Sequence, residues 1–294
     1  MVDLRSLEVF FWVVKLGGFG RAAERLHMTQ PAVSGRISQI EERFQVRLLD
    51  RTSHRTPTPT QKGLELFAYA ERMLSLHAEM VTRLTDPAAF SGVVRIGAAE
   101  TLVHTLLGRL IHQLHERFPR VTPEIVVDIS PNLQTLLLSG ELDVALLLGP
   151  LNEPKANNVA LCDYALGWVA SPKLELAAEP LELEELVRWP ILSYARGTQP
   201  HADIAALFRR PEFPPARIFA SSSLAAVIRM AIDGIGIGVL PLAVVESHLS
   251  EGTLQLLNVK ASLPALRFTA SYIETPGSGL AQTVAELAGA IATP

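Results

Sequence analysis

The chain has 294 residues, 48% hydrophobic and 19% charged, and its net charge of −4 is split between a basic head (+4 over residues 1–62) and an acidic remainder (−8). That length carries two domains with filled cores, and the even spread of Gly and Pro excludes a low-complexity chain. No apolar run reaches bilayer-spanning length, the lone Cys162 excludes an intrachain disulfide, and the acids within the first ten residues argue against an export leader, so a cytoplasmic protein with a polyanion-binding head is expected.

A first helix is predicted over Leu4–Leu16, where Leu7, Phe10, Phe11 and Val14 recur at helical spacing, and Gly17-Gly18 stops it. A short second helix runs from about Gly20 to Leu26. Thr29 then serves as N-cap for a third helix reaching about Phe44, with Pro31 tolerated in the first turn because its missing N–H would be unpaired there. Val33, Ile37, Ile40 and Phe44 form one apolar stripe expected to face the core. The other side presents Gln30, Pro31, Ser34, Gly35 and Ser38, with Arg36 flanking. Small polar side chains let a helix approach a groove floor, while Gln and Arg hydrogen-bond base edges or phosphates. Two short helices joined by a tight turn describe a helix-turn-helix. The basic, Thr- and Pro-rich stretch that follows predicts a β-wing, laying His54 or Arg55 along the DNA backbone or in the minor groove.

The ordered set Phe10, Phe19, Ala22-Ala23, Leu26, Gln30-Pro31-Ala32-Val33-Ser34, Ile37, Glu41, Leu48, Arg51, Thr60 and Gly63 resembles the winged helix-turn-helix of LysR-type transcriptional regulators. Two positions depart from that pattern: Gly35 stands where a longer polar or basic residue is common, and Gln45 where a glycine is usual. The resemblance implies DNA contacts from Gln30, Pro31, Ser34, Arg36, Ser38, His54 and Arg55, and no base contact from position 35.

From Thr60 to Leu84 only Gly63 interrupts a long helix. Phe67, Ala70, Leu74, His77, Val81 and Leu84 alternate spacings of three and four, and Leu66, Met73 and Met80 widen the apolar surface. Such a helix needs a body or a partner to pack on. The resemblance implies a twin helix, hence a homodimer, with homotetramers built from it, reading an inverted-repeat promoter site in double-stranded DNA.

Beyond a hinge at 88–92, strands and helices alternate. Strands are expected at Val93–Ala98, Glu124–Ile129, Asp143–Leu148, Leu166–Ala170, Pro190–Tyr194, Ile218–Ala220, Ile237–Leu240 and Arg267–Ile273. This predicts two α/β lobes, 92–163 with 267–294 and 164–266. The layout resembles the periplasmic-binding-protein-like effector domain of the same family, carrying Gly140-Glu141-Leu142-Asp143 and Asp233-Gly234-Ile235-Gly236 as landmarks. The fold class expected is therefore α/β: a winged helix-turn-helix over 1–62, a dimerisation linker helix and hinge over 63–91, and a bilobed effector domain over 92–294.

Ligands of open α/β sheets sit at carboxyl ends of strands, which predicts a cleft lined by Thr101, Ser130, Asn132, Ser193, Arg196, Thr198 and Ser222. Helix starts at Thr101 and Asn132, with Arg196, suit a carboxylate, so a small anionic organic effector is expected, although Glu100 brings a negative charge to the rim. No cofactor or metal site is expected: His112 and His115 share a helix face without a third ligand nearby, and the glycines at 234, 236 and 238 miss the dinucleotide fingerprint. No nucleophile elbow, phosphate loop or paired catalytic acids occur, so no catalytic residue is named. The competing reading, a cytoplasmic small-molecule receptor or enzyme on the bilobed body, leaves the basic head without a purpose.

Overall fold

The computed structural model describes residues 2–50, 57–84, 91–176, 180–209, 214–275 and 278–292. Helix α1 (Leu4–Leu16) starts where Asp3 accepts the Ser6 N–H at 2.6 Å, and ends at Gly17 in the left-handed region. Helix α2 (Phe19–Arg25) and helix α3 (Gln30–Phe44) follow, Thr29 accepting the Ala32 N–H at 3.4 Å as N-cap. Val9, Phe10, Phe11 and Val13 of α1 meet Ala22 and Ala23 of α2 and Val33, Ile37 and Ile40 of α3 in one core. Phe44 does not join them. It is 50% exposed, because it is the last residue of α3, where the chain turns away through a left-handed Gln45.

Strands β1 (Leu49–Asp50) and β2 (Thr58–Pro59) pair antiparallel as the base of the wing. The expected DNA contacts His54 and Arg55 fall between them, outside the described residues. Glu41 fastens this wing to α3, its Oε1 accepting the N–H of Leu48 at 2.8 Å and of Leu49 at 3.2 Å. Helix α4 (Gln61–Leu84) begins where Thr60 Oγ1 accepts the Gly63 N–H at 3.0 Å. Gly63 is there for close approach: a Cβ would stand 2.1 Å from the Leu48 carbonyl oxygen.

The faces of α4 correct the expected dimer seam. Phe67 stacks on Phe11 with ring centroids 5.2 Å apart, Ala70 is fully buried, and Leu74 packs on the same core. The line Phe67–Ala70–Leu74 therefore belongs to the DNA-binding domain itself, because α1 already offers the aromatic surface that this stripe needs. His77 is exposed, and the side chains of Val81 and Leu84 lie outside those described. Tyr69, Met73, Leu76 and Met80 form the outward face instead, each about half exposed or more.

The remaining chain builds two lobes. In the first, strand β3 (Gly92–Ala98) leads into helix α5 (Glu100–Leu102), which widens into a π turn over Val103–Leu107 and continues as α6 (Gly108–Arg117). Strand β4 (Val121–Val127), helix α7 (Ser130–Ser139), β5 (Val144–Leu148) and β6 (Ala156–Tyr164) follow. The second lobe holds β7 (Leu166–Ala170), α8 (Leu183–Leu186), β8 (Ile191–Tyr194), α9 (Gln199–Leu207), β9 (Ile218–Ser221), α10 (Leu224–Ile232), β10 (Ile237–Pro241), α11 (Leu242–Ser250) and β11 (Gln255–Leu256). The chain then returns to the first lobe as β12 (Leu266–Ile273) and α12 (Gly279–Ala292). The sheet orders are β4-β3-β5-β12-β6 and β11-β7-β10-β8-β9. β3 runs parallel to β4 and β5, as the alternation predicts, while β12 is antiparallel to both of its neighbours. The nine-residue β6 was not anticipated: it is an edge strand whose Asn157 and Asn158 blur the alternation, and its pairing comes from β12. β4 starts at Val121, three residues before the expected Glu124.

The DNA-binding domain rests on the first lobe. Arg25 at the end of α2 pairs with Asp143, whose second oxygen accepts the Arg95 N–H at 2.8 Å, and the Arg25 guanidinium lies 4.5 Å from the Trp12 ring centroid. Lys155 reaches Glu71 of α4 at 3.2 Å.

Candidate functional site

Two places on the molecule have the geometry to bind something. The first is the free side of α3. Its apolar stripe is committed to the core, which turns Gln30, Pro31, Gly35 and Ser38 outward and leaves Ser34 half-buried beside them. Nothing lies within 4 Å of the space a Gly35 Cβ would take, so the helix offers a shallow surface there. Arg36 is placed differently from Gln30 and Ser38. Its guanidinium turns back to the start of α1, donating to Ser6 Oγ at 3.2 Å and standing 3.7 Å from Asp3. Hydrogen bonds from Ser6, with Arg36 as a lesser cause, hold the Asp3 carboxyl below its ordinary pKa. Arg36 thus fixes α1 against α3 as well as flanking the exposed face.

The second place is a cleft of about 350 Å³ between the lobes. Of the residues expected there, Thr101, Ser130, Ser193, Thr198 and Ser222 line it. Several of their hydroxyls already shape its walls. Ser130 Oγ accepts the Leu148 N–H at 3.0 Å, Thr198 Oγ1 donates to the Ala195 carbonyl at 2.7 Å, and Ser193 Oγ lies 3.3 Å from His201 Nδ1. Ser222 is exposed at the mouth. Asn132 and Arg196 are not brought into the cleft. Helix α7 starts at Ser130, so the side chain two residues on points about 200° away around the axis, and Asn132 stands behind the lining residue Asp128, donating to it at 3.0 Å. Arg196 stands exposed in the tight turn that joins β8 to α9.

Glu100, Asp128 and Tyr194 also line the cleft, though none is among the residues expected there. Glu100 of the first lobe crosses the cleft and accepts the N–H groups of Leu224 and Ala225 (the latter at 3.0 Å) at the start of α10, with the Ser223 hydroxyl at 3.4 Å. Asp128 accepts the Ile129 N–H at 2.7 Å beside the start of α7. Tyr194 stands in the wall with a buried hydroxyl that finds no partner among the described residues, and burial pushes its pKa far up. Glu100 could be seen in sequence as a rim charge, but its partners lie on the other lobe.

A wider groove runs between the DNA-binding domain and the first lobe, lined by Trp12, Lys15, Arg25 and Asp143 among others. Lys15 Nζ lies 5.3 Å from the Trp12 ring centroid, and burial, then the neighbouring Arg25 charge, lower its pKa to about 8. Among the described residues no group of three or more His, Cys, Asp or Glu is gathered as for a metal ion, and no helix is long and apolar enough to cross a membrane.

Comparison with known proteins bears on both places. Residues 4–64 match the family described as bacterial regulatory helix-turn-helix protein, lysR family, and residues 87–290 match the LysR substrate binding domain. The HTH-type transcriptional regulator CrgA of Neisseria meningitidis serogroup C is 31% identical over 276 residues, covering 91% of this chain and 89% of its own. YofA of Bacillus velezensis, also an HTH-type transcriptional regulator, is 30% identical over 241 residues, 82% of this chain and 81% of its own. Among solved structures, CrgA from Neisseria meningitidis superposes with a TM-score of 0.54 at 27% identity, covering 96% and 98% of the two chains. Full-length OxyR from Pseudomonas aeruginosa, at 23% identity, shares the fold with a TM-score of 0.68, over 98% and 93%. The exposed face of α3, the long helix behind it and the cleft between two α/β lobes are the parts those matches span, and the chain belongs to the LysR family of DNA-binding transcriptional regulators with an effector-binding domain.

Proposed function

We propose that this regulator binds an inverted-repeat promoter site in double-stranded DNA as a homodimer, and that a small organic effector in the interlobe cleft sets how the paired readers are spaced. The observation that carries the reading is the exposed, small and polar face of α3, held outward by a stripe that is fully buried at Val33 and Ile37. Gln30, Pro31, Ser34 and Ser38 face base edges, Arg36 meets a phosphate with the N–H groups that Ser6 leaves free, and His54 and Arg55 extend the contact along the wing. Tyr69, Met73, Leu76 and Met80, spaced by four, three and four, are the seam for a twin α4. Homotetramers form when two such dimers join. Thr101, Thr198 and Ser222 contact the effector, which acts only through unequal affinity for the two lobe arrangements. The cleft serves binding rather than catalysis: Ser193 beside His201 is fully buried and supports the wall instead of attacking a substrate. Working on DNA, the protein acts in the cytoplasm.

Fluorescence anisotropy with an operator fragment and a scrambled one tests this. Gln30→Ala is expected to lower the ratio of specific to non-specific affinity about tenfold, and Arg55→Ala to weaken both and flatten the salt dependence. Unchanged affinity of both variants for both fragments across several salt concentrations would sink the proposed contacts.

A further inference from the structure

The start of a helix ordinarily welcomes an anion, because its first N–H groups lack partners and the helix dipole is positive there. In the interlobe cleft the start of α10 is already supplied by this chain. At α10, Glu100 takes the N–H groups of Leu224 and Ala225, and Ser223 Oγ takes that of Ala226 at 3.2 Å. At α7 no side chain caps the first turn, but Asp128 puts a second negative charge beside it, accepting the Ile129 N–H and the Asn132 side-chain amide. Among the described residues that line the cleft, none is Lys, Arg or His, so the formal charges facing it are these two carboxylates. Around them stand hydroxyls at Ser221 and Ser222 and an apolar floor at Leu148, Val227 and Phe268.

We propose that Glu100 is the specificity-determining residue of the cleft: by occupying the α10 N-terminus from the opposite lobe it turns carboxylates away and selects a small organic ammonium. This rests on the reading of the cleft as the effector site and reverses the anionic ligand expected from sequence. The ammonium head meets Glu100 and the acceptor oxygens of the serine hydroxyls, while an aliphatic body covers the apolar floor. Because Glu100 bridges the lobes, a ligand that engages its carboxylate also bears on how the lobes are held.

The test uses the full-length protein at constant ionic strength, with butylammonium, butanol and butyrate as matched probes and acetate as the smallest anion, read by thermal shift titration. Butylammonium is expected to stabilise the parent, and butyrate and acetate to leave it unmoved. Glu100→Gln keeps an acceptor for Leu224 but loses the charge, and should weaken butylammonium about tenfold, as expected for losing a charge-assisted bond. Glu100→Ala empties the α10 N-terminus, and acetate should then stabilise it at concentrations about tenfold below any that affect the parent. Acetate or butyrate binding the parent as tightly as Glu100→Ala overturns the proposal, as does butylammonium binding Glu100→Gln unchanged. Operator affinity separates the two readings: if butylammonium stabilises the parent through Glu100 and leaves operator binding unaltered, the charge selection stands and the cleft's role as effector site falls.

Discussion

Gln45 closes α3 with φ 54° and ψ 37°, a conformation that costs a side-chain-bearing residue roughly 1 kcal/mol relative to glycine. Its Nε2 returns part of that by donating to the Glu42 carbonyl at 2.7 Å. Gln45→Gly is therefore expected to stabilise the DNA-binding domain by about 0.5–1 kcal/mol, seen as a higher urea midpoint with an unchanged slope. The residue stood out in the sequence as a departure from a usual glycine, whereas the bond that tolerates it is visible only in the structure. Arg36 shows the same division. Its position on the flank of α3 follows from helical spacing, but its partners Ser6 and Asp3 lie thirty or more residues back, and no local pattern records that contact. Glu41, matched in sequence without a role, proves to be the acceptor that ties the wing to α3.

At the level of whole elements, periodicity located nearly every helix and most strands, since burying one face of a 3.6- or 2-residue repeat leaves a mark in the chain itself. It could not say which of two apolar lines on α4 faces inward. Both repeat at the same spacing, and the choice was made by the aromatic surface of α1, where Phe11 receives Phe67. The distinction has a consequence for assembly. Leu76→Asp, on the outward line, should leave the domain folded and raise the dimer dissociation constant a hundredfold or more, as expected from losing about 1.5–3 kcal/mol of burial in each of two copies. Leu74→Asp, on the inward line, should instead unfold the helix-turn-helix. Sedimentation velocity and circular dichroism together separate these outcomes, and a Leu76→Asp variant that sediments as the parent does would move the seam elsewhere. Strands β6 and β11 escaped notice because an edge strand and a two-residue strand owe their order to a neighbour's backbone rather than to their own alternation.

Over the whole molecule, the reader and the first lobe are joined through charge. Arg25 and Asp143 keep only 16% and 15% side-chain exposure, and Lys15 sits beside them against Trp12 with its pKa lowered to about 8. Between that value and its ordinary 10.5 the unfolded chain holds a proton the folded protein has shed, so stability attributable to Lys15 rises with pH across the interval. Below pH 8 both states carry the charge and the cost of burying it is fully present. Lys15→Met should accordingly be more stable than the parent at pH 7, with the gap closing as pH approaches 10, in urea unfolding measured at both. A gap that stays constant or widens would show that Lys15 is not the group responsible. What the sequence by itself determined was the order of elements, the winged helix-turn-helix, the outward face of α3 and the serine and threonine residues near the strand ends. Each depends on neighbours within a few turns of helix or strand. The tertiary structure alone decided that Glu100 spans the cleft and that α2 docks on the first lobe. Those facts arise from groups more than a hundred residues apart meeting across packed surfaces, and local spacing carries no trace of such meetings.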